Sequence, residues 1–178
     1  EAAFALAQAL TAELPSDRLQ AALTAGTHPD ESYLDPLIER CAIESDFYVR
    51  DMLTWSLTRL PHEIVLPRVV DEASSHIAQA RSQALHTLSK LGDPRGFDVI
   101  TGEHLHDADD EVVRASWRTA AGLVPYNQRE DLVRELVLEL GRGDLDVMRS
   151  LSRALVELGD AALQPLAAAT LGDGDSFG

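Results

Sequence analysis

The sequence is poor in the residue types from which disulfide-linked, membrane-spanning and catalytic proteins are built. It has one cysteine, Cys41, and one lysine, Lys90, among 178 residues, and aromatic residues make up only 5%. A single cysteine excludes an intramolecular disulfide and suits a reducing compartment, so we predict a cytoplasmic protein. No apolar run approaches the ~18 residues of a membrane span, and no signal-peptide pattern is visible. Cys41 lies in an apolar helical phase, which indicates a buried small side chain rather than a nucleophile.

Positive charge is also scarce. Fifteen basic residues stand against 30 acidic ones, which gives a formal net charge of −15. Such a surface repels nucleic-acid phosphates and anionic lipid heads, since both are bound through clustered positive charge. We therefore predict a solvated acidic surface and neither nucleic acid nor a membrane as partner.

Catalytic motifs are missing as well. The sequence has no G-x-S-x-G, no P-loop and no G-x-G-x-x-G, and its Ser, His and Asp residues follow no spacing that would bring them together. We predict no catalytic residue, no cofactor-binding residue and no enzyme activity.

What the sequence does have is an internal repeat. An arginine recurs at intervals of 32, 31, 33 and 35 residues, each time near the start of a stretch of helix-forming residues: Arg18, Arg50, Arg81, Arg114 and Arg149. A fixed period in this range is typical of repeat proteins, in which each unit buries its apolar face against its neighbours. No segment alternates apolar and polar residues over a sustained length, so we predict no strands.

Each repeat is predicted to contain two antiparallel helices of about 10–14 residues. The first pair covers residues 1–14 and 17–25, with Ser16 as N-cap and Gly26 as the end. Later repeats start near Tyr33, His62, Phe97 and Leu132. Asp46 is placed to cap a helix, and three residues mark helix ends: Pro61, Gly92 and Pro125. A longer loop surrounds residues 141–146. A last helix at about 161–171 is predicted to cap the array.

These units predict an all-α fold, a right-handed α-solenoid (superhelix) of about five two-helix repeats plus the terminal capping helix. We predict one domain over residues 1–171 and a disordered tail over 172–178. The second helices, which begin with the repeated arginines, are expected to line the concave face.

The motifs L-G-D-P-R-G (91–96), D-D-E-V-V-R-A-S (109–116) and L-G-D-A-A-L (158–163) resemble the HEAT-repeat family, specifically the short variant found in phycobilisome-lyase-type proteins. The resemblance covers nearly the whole chain, but departs from the usual pattern at Ser75-His76, where an acidic cap is expected. It implies a rigid curved surface that binds proteins or peptides. It also implies that the repeated arginines form a structural ladder with aspartates, for which Asp46, Asp110 and Asp146 are placed.

Enzymes of this family offer two alternatives, one that needs a metal and one that binds DNA. A di-iron hydroxylase uses several His-Glu pairs, whereas this chain has one, His62-Glu63. The stretch from His104 to Asp110 is rich in metal-ligand types, yet we interpret it as a solvated acidic loop and predict no metal. Alkylpurine glycosylases use Trp and Asp in a basic groove, but a net charge of −15 is against DNA binding, and Trp117 is predicted to lie in the core.

The candidate binding residues are those four or five positions after a repeated arginine, which should face the concave side: Trp55, His86, Arg118 and Arg153. Trp and Arg are enriched among binding hot spots. The alternative for Trp55 is packing within its own repeat beside Tyr33, Phe47 and Tyr48.

The function predicted from these patterns is a non-catalytic protein–protein interaction scaffold, in which a concave helical groove binds a protein or peptide. The alternative is a bilin-lyase-type accessory protein or enzyme subunit that binds a small hydrophobic cofactor in the groove.

Overall fold

The structure, a computed structural model, describes residues 1–172, and within them the chain is helical with no strand. This confirms the all-α prediction. Short 3-10 turns at Glu31–Tyr33, Pro94–Val99, Tyr126–Gln128 and Gly159–Ala162 precede first helices of repeats or the last helix. The α-helices are α1 (Ala2–Ala9), α2 (Pro15–Thr27), α3 (Leu34–Cys41), α4 (Phe47–Thr58), α5 (His62–Ala73), α6 (Ala78–Leu91), α7 (Gly102–Leu105), α8 (Asp110–Leu123), α9 (Arg129–Val137), α10 (Leu145–Leu158) and α11 (Leu163–Gly172).

The helices pack in two layers within each of two compact units, one spanning Glu1–Gly92 and one beginning at Asp93. In the first unit, α2 packs on α4 and α4 on α6, while α1, α3 and α5 form the other layer. In the second unit, α8 packs on α10, and α7, α9 and α11 form the other layer. First and second helices of successive repeats therefore stack in register, as in an α-solenoid.

Apolar residues at helical spacing fill the space between the layers, as the periodicity predicts. Leu53 and Leu57 of α4 and Leu85 of α6 are fully buried in the first unit. In the second unit Trp117 is fully buried among aliphatic side chains that include Val133 and Leu151, so its predicted core position is confirmed. Burial of these side chains is the main source of stability in both units.

Several predicted boundaries are confirmed. Asp46 caps α4 by accepting hydrogen bonds from the backbone N–H groups of Tyr48 and Val49. Gly92 ends α6 in the left-handed conformation, with φ of 64°, which glycine adopts without strain. In the long loop before α10, Gly141 and Gly143 also have positive φ.

The first repeat differs from its prediction. Helix α1 ends at Ala9 rather than near residue 14. Arg18 donates hydrogen bonds to the carbonyl groups of Ala12 and Glu13, and these carbonyls face Arg18 only because the chain leaves the helix and turns. The N-cap of α2 is Leu14, with Pro15 at the first helical position, and not Ser16. Gly26 does not end α2 but lies buried inside it.

The first helix of the fourth repeat is also shorter than predicted. Pro94–Val99 forms a 3-10 turn and α7 has a single turn, Gly102–Leu105. Asp93 caps the 3-10 turn and Thr101 caps α7. Two short helical elements, each with its own N-cap, therefore replace the one predicted helix. Two glycines in this stretch, Gly96 and Gly102, disfavour a continuous α-helix.

The predicted tail, 172–178, lies outside the described residues except for Gly172, which ends α11. The prediction of one domain over residues 1–171 stays a prediction. None of the described helices is long and apolar enough to cross a bilayer.

Candidate functional site

The four candidate binding residues lie on second helices of repeats and are divided between the units. Trp55 on α4 and His86 on α6 belong to the first unit, whereas Arg118 on α8 and Arg153 on α10 belong to the second. The two surfaces are therefore described separately.

The first surface is the solvent side of α4, which we call the α4 face and define as Tyr48, Asp51, Trp55 and Arg59. Steps of three and four residues place these side chains along one side of the helix. Tyr48 is 72% exposed and Trp55 39% exposed, so both rings are accessible. The guanidinium carbon of Arg59 stands 6.0 Å from the centre of the Trp55 ring, at the outer range of a cation–π contact.

The ring of Trp55 lies against the backbone of α2 at Gly26. A Cβ at Gly26 would stand only 2.3 Å from Cζ3 of Trp55, so no other residue fits there unless the ring moves. The Ser56 hydroxyl donates a hydrogen bond of 2.6 Å to the Ala22 carbonyl, which fixes the spacing of α2 and α4 beside the ring. One edge of the indole is thus held while the other faces solvent.

The α4 face continues onto α6 through His86, whose Nε2 stands 3.5 Å from a carboxylate oxygen of Asp51. Beneath it, buried polar side chains join α4 to α6. Gln83 donates a 2.7 Å hydrogen bond to the Thr54 hydroxyl, which also contacts the Thr87 hydroxyl at 3.0 Å. These satisfied buried groups hold the two helices in one register.

The second surface depends on how α8 and α10 align. Arg114 Nε donates to the Ser150 hydroxyl at 2.9 Å, and eight residues later a Cβ on Gly122 would stand 3.7 Å from Glu157 of α10. Contacts that advance together along both helices show that α8 and α10 run parallel.

This register places Arg118, midway between the two contacts on α8, level with Arg153 on α10. Both residues are exposed. The assignment of Arg118 and Arg153 as binding residues stays a prediction.

A buried carboxylate that sequence reasoning missed stands at the loop between α3 and α4. Glu44 is fully buried and accepts a bidentate pair of hydrogen bonds, each 2.8 Å, from Arg18 of the preceding repeat. Arg40 of α3 donates a third at 2.8 Å, and the Asp46 backbone N–H a fourth at 2.9 Å. Gln79, from the following repeat, donates to the Glu44 carbonyl at 2.7 Å. Glu44 therefore joins three successive repeats.

The pKa of Glu44 shows that its partners outweigh its burial. Burial is the largest effect and raises the pKa, but the hydrogen bonds from Arg18, Asp46 and Arg40 together lower it to about 2. The carboxylate is consequently ionised at every pH at which the protein is expected to fold. Because all its oxygens are occupied by the chain itself, Glu44 is a structural group and not a ligand-binding one.

The repeated arginines of the first unit bind backbone carbonyls of the loop before their own helix. Arg18 Nη1 donates to Ala12 and Glu13, Arg50 Nη1 to Glu44 and Ser45, and Arg81 Nη1 to Ser75. Each carbonyl lies five or six residues before its arginine. The arginine ladder is therefore structural in this unit, but its partners are carbonyls and Glu44 rather than the predicted aspartates.

The arginine pattern changes in the second unit. Arg50 lies four residues after its N-cap, whereas Arg114 lies five after Asp109, and one residue turns a side chain by about 100° around the helix. Arg114 consequently contacts Glu111 and Ser150 instead of the loop. Of the predicted aspartate partners, only Asp146 pairs with its repeated arginine, Arg149, at 3.2 Å; Asp46 is a cap and Asp110 contacts Arg142.

A sequence signal for Glu44 does exist in its position relative to the helix cap. Glu44 stands two residues before the N-cap Asp46, as Asp107 does before the N-cap Asp109, and each acid accepts the N–H of that cap at 2.9 Å. Ser75, where the family pattern expects an acid, accepts the Ile77 N–H at 3.2 Å in the same way.

The loop between α7 and α8 is attached to α9 through His106. Its Nε2 stands 2.9 Å from Glu135 and its Nδ1 contacts Glu139, which in turn binds Arg142 at 3.1 Å. Arg142 also donates to the Asp107 carbonyl. Hydrogen bonds that the imidazole donates to the Glu135 and Glu139 carboxylates raise the pKa of His106 above its usual value.

We expect the His106→Gln variant to lose stability mainly below pH 6.5, the ordinary histidine pKa. A folded-state pKa above the unfolded value means that the stabilisation is complete below 6.5 and is lost as pH rises through the folded pKa. The effect should be at most about 1 kcal/mol, because the pair is partly exposed.

Urea unfolding of both proteins at several pH values between 5.5 and 9 measures this difference. It should shrink as pH rises; a difference that is the same at all pH values would contradict the assignment.

The histidine- and aspartate-rich stretch predicted as a solvated loop is tied down by these contacts. His104 is buried, its Nδ1 accepting the Thr101 backbone N–H at 3.1 Å. Over residues 1–172, no three His, Cys, Asp or Glu side chains form a group that could hold a metal ion. Cys41 is buried, and desolvation raises its pKa to about 12, so its thiol is not a nucleophile.

Known proteins resemble this chain in sequence pattern and in fold. The family model described as HEAT repeats matches residues 34–122, half of the chain. Two crystal structures of engineered proteins from the Northeast Structural Genomics Consortium superpose with TM-scores of 0.53 and 0.55, each at 16% identity. The matches cover 97% and 96% of this chain and 87% of each engineered protein. At that identity they show the fold alone.

No curated protein is similar enough in sequence to count as a relative. The family match, the paired helices stacked within each unit and the recurring second-helix arginines agree with one another. The chain belongs to the HEAT-repeat family.

Proposed function

We propose that this protein is a non-catalytic interaction scaffold that binds a peptide or helix of a protein partner on the α4 face. HEAT repeats generally mediate protein interactions, and the repeat scaffold is present here. The location on the α4 face and the class of partner segment go beyond that general role, and the following observations support them.

The observation that carries the proposal is the half-exposed Trp55 ring held against Gly26. Tryptophan is the residue type most enriched in binding hot spots, where a rigid aromatic surface loses little entropy on binding. This chain has only two tryptophans, and the other, Trp117, is fully buried. Two accessible rings, Trp55 and Tyr48, therefore lie on one helix of an aromatic-poor protein.

The charge around the α4 face favours a partner segment with an apolar anchor and basic flanks. Asp51 and Arg59 balance each other on the face itself, so the preference for basic flanks comes from the net charge of the chain, −15. A basic segment gains association rate from this field, while the anchor gains affinity from Trp55.

We expect Trp55→Ala to weaken binding of such segments by roughly 30-fold, the scale of a 2 kcal/mol hot spot. The probes are peptides selected from a random display library against the wild-type protein, and the measurement is the dissociation constant by fluorescence anisotropy. Selected peptides should share an aromatic or aliphatic residue flanked by Lys or Arg.

Phe4→Ala is the matched control, since Phe4 is an exposed aromatic residue on α1, away from α4. It should bind as the wild type does. Gly26→Ala gives a second test: its Cβ displaces the Trp55 ring, so affinity should fall although the tryptophan is present. Selected peptides that bind Trp55→Ala within twofold of the wild type would exclude the α4 face.

The second candidate function is binding of a small hydrophobic cofactor. A cleft of about 440 Å³ between α1 and α2 supports it, because half of its lining is alanine and Leu6 and Tyr33 add apolar surface beside the polar Asp17, Gln20 and Thr24. Purified protein that absorbs light above the protein band would favour this function. A colourless protein that binds the selected peptides would favour the scaffold.

A further inference from the structure

A second cleft, in the second unit, has a chemistry that the proposed scaffold function does not use. It has a volume of about 530 Å³ and opens between the start of α9 and the end of α10. Tyr126, Asn127, Arg129 and Glu130 line one side, and Leu158, Gly159, Asp160 and Ala161 line the other. The cleft thus combines one guanidinium, one amide, an aromatic ring and two carboxylates with aliphatic groups.

Arg129 is the unusual member of this cleft. Its Nε is shielded from solvent and has no hydrogen-bond partner, the one such buried side-chain nitrogen or oxygen in the described part of the chain. Buried polar atoms in native proteins are almost always paired, since an unmade hydrogen bond costs free energy. An N–H left in this state at the wall of a cleft indicates an acceptor that comes from outside the described residues.

Arg129 has no carboxylate in the described part of the chain to balance its charge. It shares this with Arg50, Arg59 and Arg153, whereas Arg18, Arg40, Arg68, Arg114, Arg134 and Arg142 each form an ion pair with a carboxylate. Among residues 1–172 no carboxylate pairs with Arg129, although acids outnumber bases two to one in the chain. The nearest acid in sequence, Glu130, is bound to Arg134 at 2.6 Å.

The Tyr126 ring holds the guanidinium instead. The guanidinium carbon of Arg129 stands 5.5 Å from the ring centre, and such a contact uses the face of the guanidinium and not its N–H edge. That edge has the planar, forked geometry that matches a carboxylate.

We propose that this cleft binds a carboxylate carried on a small apolar body. Arg129 donates to the carboxylate oxygens, the Asn127 amide supplies a further donor, and Leu158 and Ala161 contact the apolar body. This site is separate from the α4 face and does not depend on it.

The surroundings select for a single negative charge. Asp160 and Glu130 line the cleft, although Glu130 is paired with Arg134, and the C-terminal end of α10 at Leu158 carries the negative end of the helix dipole. One carboxylate is compensated by Arg129, whereas a phosphate dianion would meet uncompensated repulsion.

The test is an NMR titration of the ¹⁵N-labelled protein with N-acetyl-L-leucine, which has the carboxylate and an apolar body. The Arg129 Nε–H resonance, identified by its absence from Arg129→Gln, should shift saturably with a dissociation constant in the millimolar range. N-acetyl-L-leucinamide, of the same shape but uncharged, should bind at least tenfold more weakly, and so should inorganic phosphate.

Arg129→Gln should lose the response of the cleft residues to N-acetyl-L-leucine, while Arg149→Gln, an exposed arginine of α10 outside the cleft, should retain it. Arg129→Lys keeps the charge without the forked N–H edge, and should bind at least fivefold more weakly. If Arg129→Gln does not fold, the affinity of Arg129→Lys decides the question. Equal binding of acid and amide, no saturable shift, or an unchanged affinity in Arg129→Lys would overturn the proposal.

Discussion

Replacing Glu44 by alanine is expected to lower the free energy of unfolding by about 3–5 kcal/mol, the range found when one partner of a buried ion pair is removed. Glu44 is fully buried, and its removal leaves Arg18, itself only 6% exposed, with an uncompensated charge. Arg40 and the Asp46 N–H are left without their acceptor as well. Because Arg18 belongs to the preceding repeat, the damage extends beyond the loop between α3 and α4.

Equilibrium urea unfolding measures this decrease, with Asp35→Ala as the matched control. Asp35 forms an ion pair of 3.0 Å with Arg68 of another repeat, but its side chain is 67% exposed, so its removal should cost at most about 1 kcal/mol. A decrease below about 1 kcal/mol in Glu44→Ala would show that the buried pair does not stabilise the fold.

The pH dependence of the wild-type free energy of unfolding tests the contribution of Glu44 independently. The folded pKa of Glu44 is about 2 against an ordinary value of 4.5, so its stabilisation is present above 4.5 and is lost as pH falls toward 2. The shift corresponds to roughly 3 kcal/mol, at about 1.4 kcal/mol per pKa unit. In Glu44→Gln, the free energy of unfolding should lack this decrease between pH 4.5 and pH 2.

Trp117→Ala is expected to destabilise the second unit by about 3–5 kcal/mol, the usual cost of emptying a fully buried aromatic site. Trp117 has no exposed surface, and its indole N–H donates to the Leu105 carbonyl at 2.9 Å. The substitution both opens a cavity between α7, α8 and α9 and leaves that carbonyl without its partner. Thermal and urea unfolding followed by circular dichroism measure the effect.

Two variants separate packing from hydrogen bonding at this position. Trp117→Phe retains most of the volume but lacks the N–H, and should cost about 1–3 kcal/mol. Trp55→Ala should cost less than Trp117→Ala, since Trp55 is already 39% exposed. If the two alanine variants were equally stable, the assignment of Trp117 to the core and Trp55 to the surface would be wrong.

The sequence predicted those features that depend on nearby residues. The helices of the second and third repeats follow from apolar residues at helical spacing, the cap at Asp46 from its position, and the end of α6 from Gly92. The core position of Trp117 follows from its place three residues after Arg114. In each case the residues involved lie within one or two helical turns, where local geometry decides the outcome.

The candidate site was predictable only in part. Trp55 and Arg118 lie on second helices as predicted, because helix phase sets the direction of a side chain. The contact of Trp55 with Gly26 was not predictable, and the prediction of Gly26 as a helix end was wrong. The two residues are 29 positions apart, so the close approach of α2 and α4 arises only when the repeats stack.

The arginine period and the leucine spacing are enough to predict an array of paired helices, because both depend only on the order of residues along the chain. The pairing of polar groups becomes visible only in the folded protein. Glu44 meets Arg18 across 26 residues, His106 meets Glu139 across 33, and Arg129 meets no carboxylate in the described residues. Partner choice between repeats depends on helix rotation, and a shift of one residue after the N-cap turns Arg114 away from the contacts that Arg50 makes.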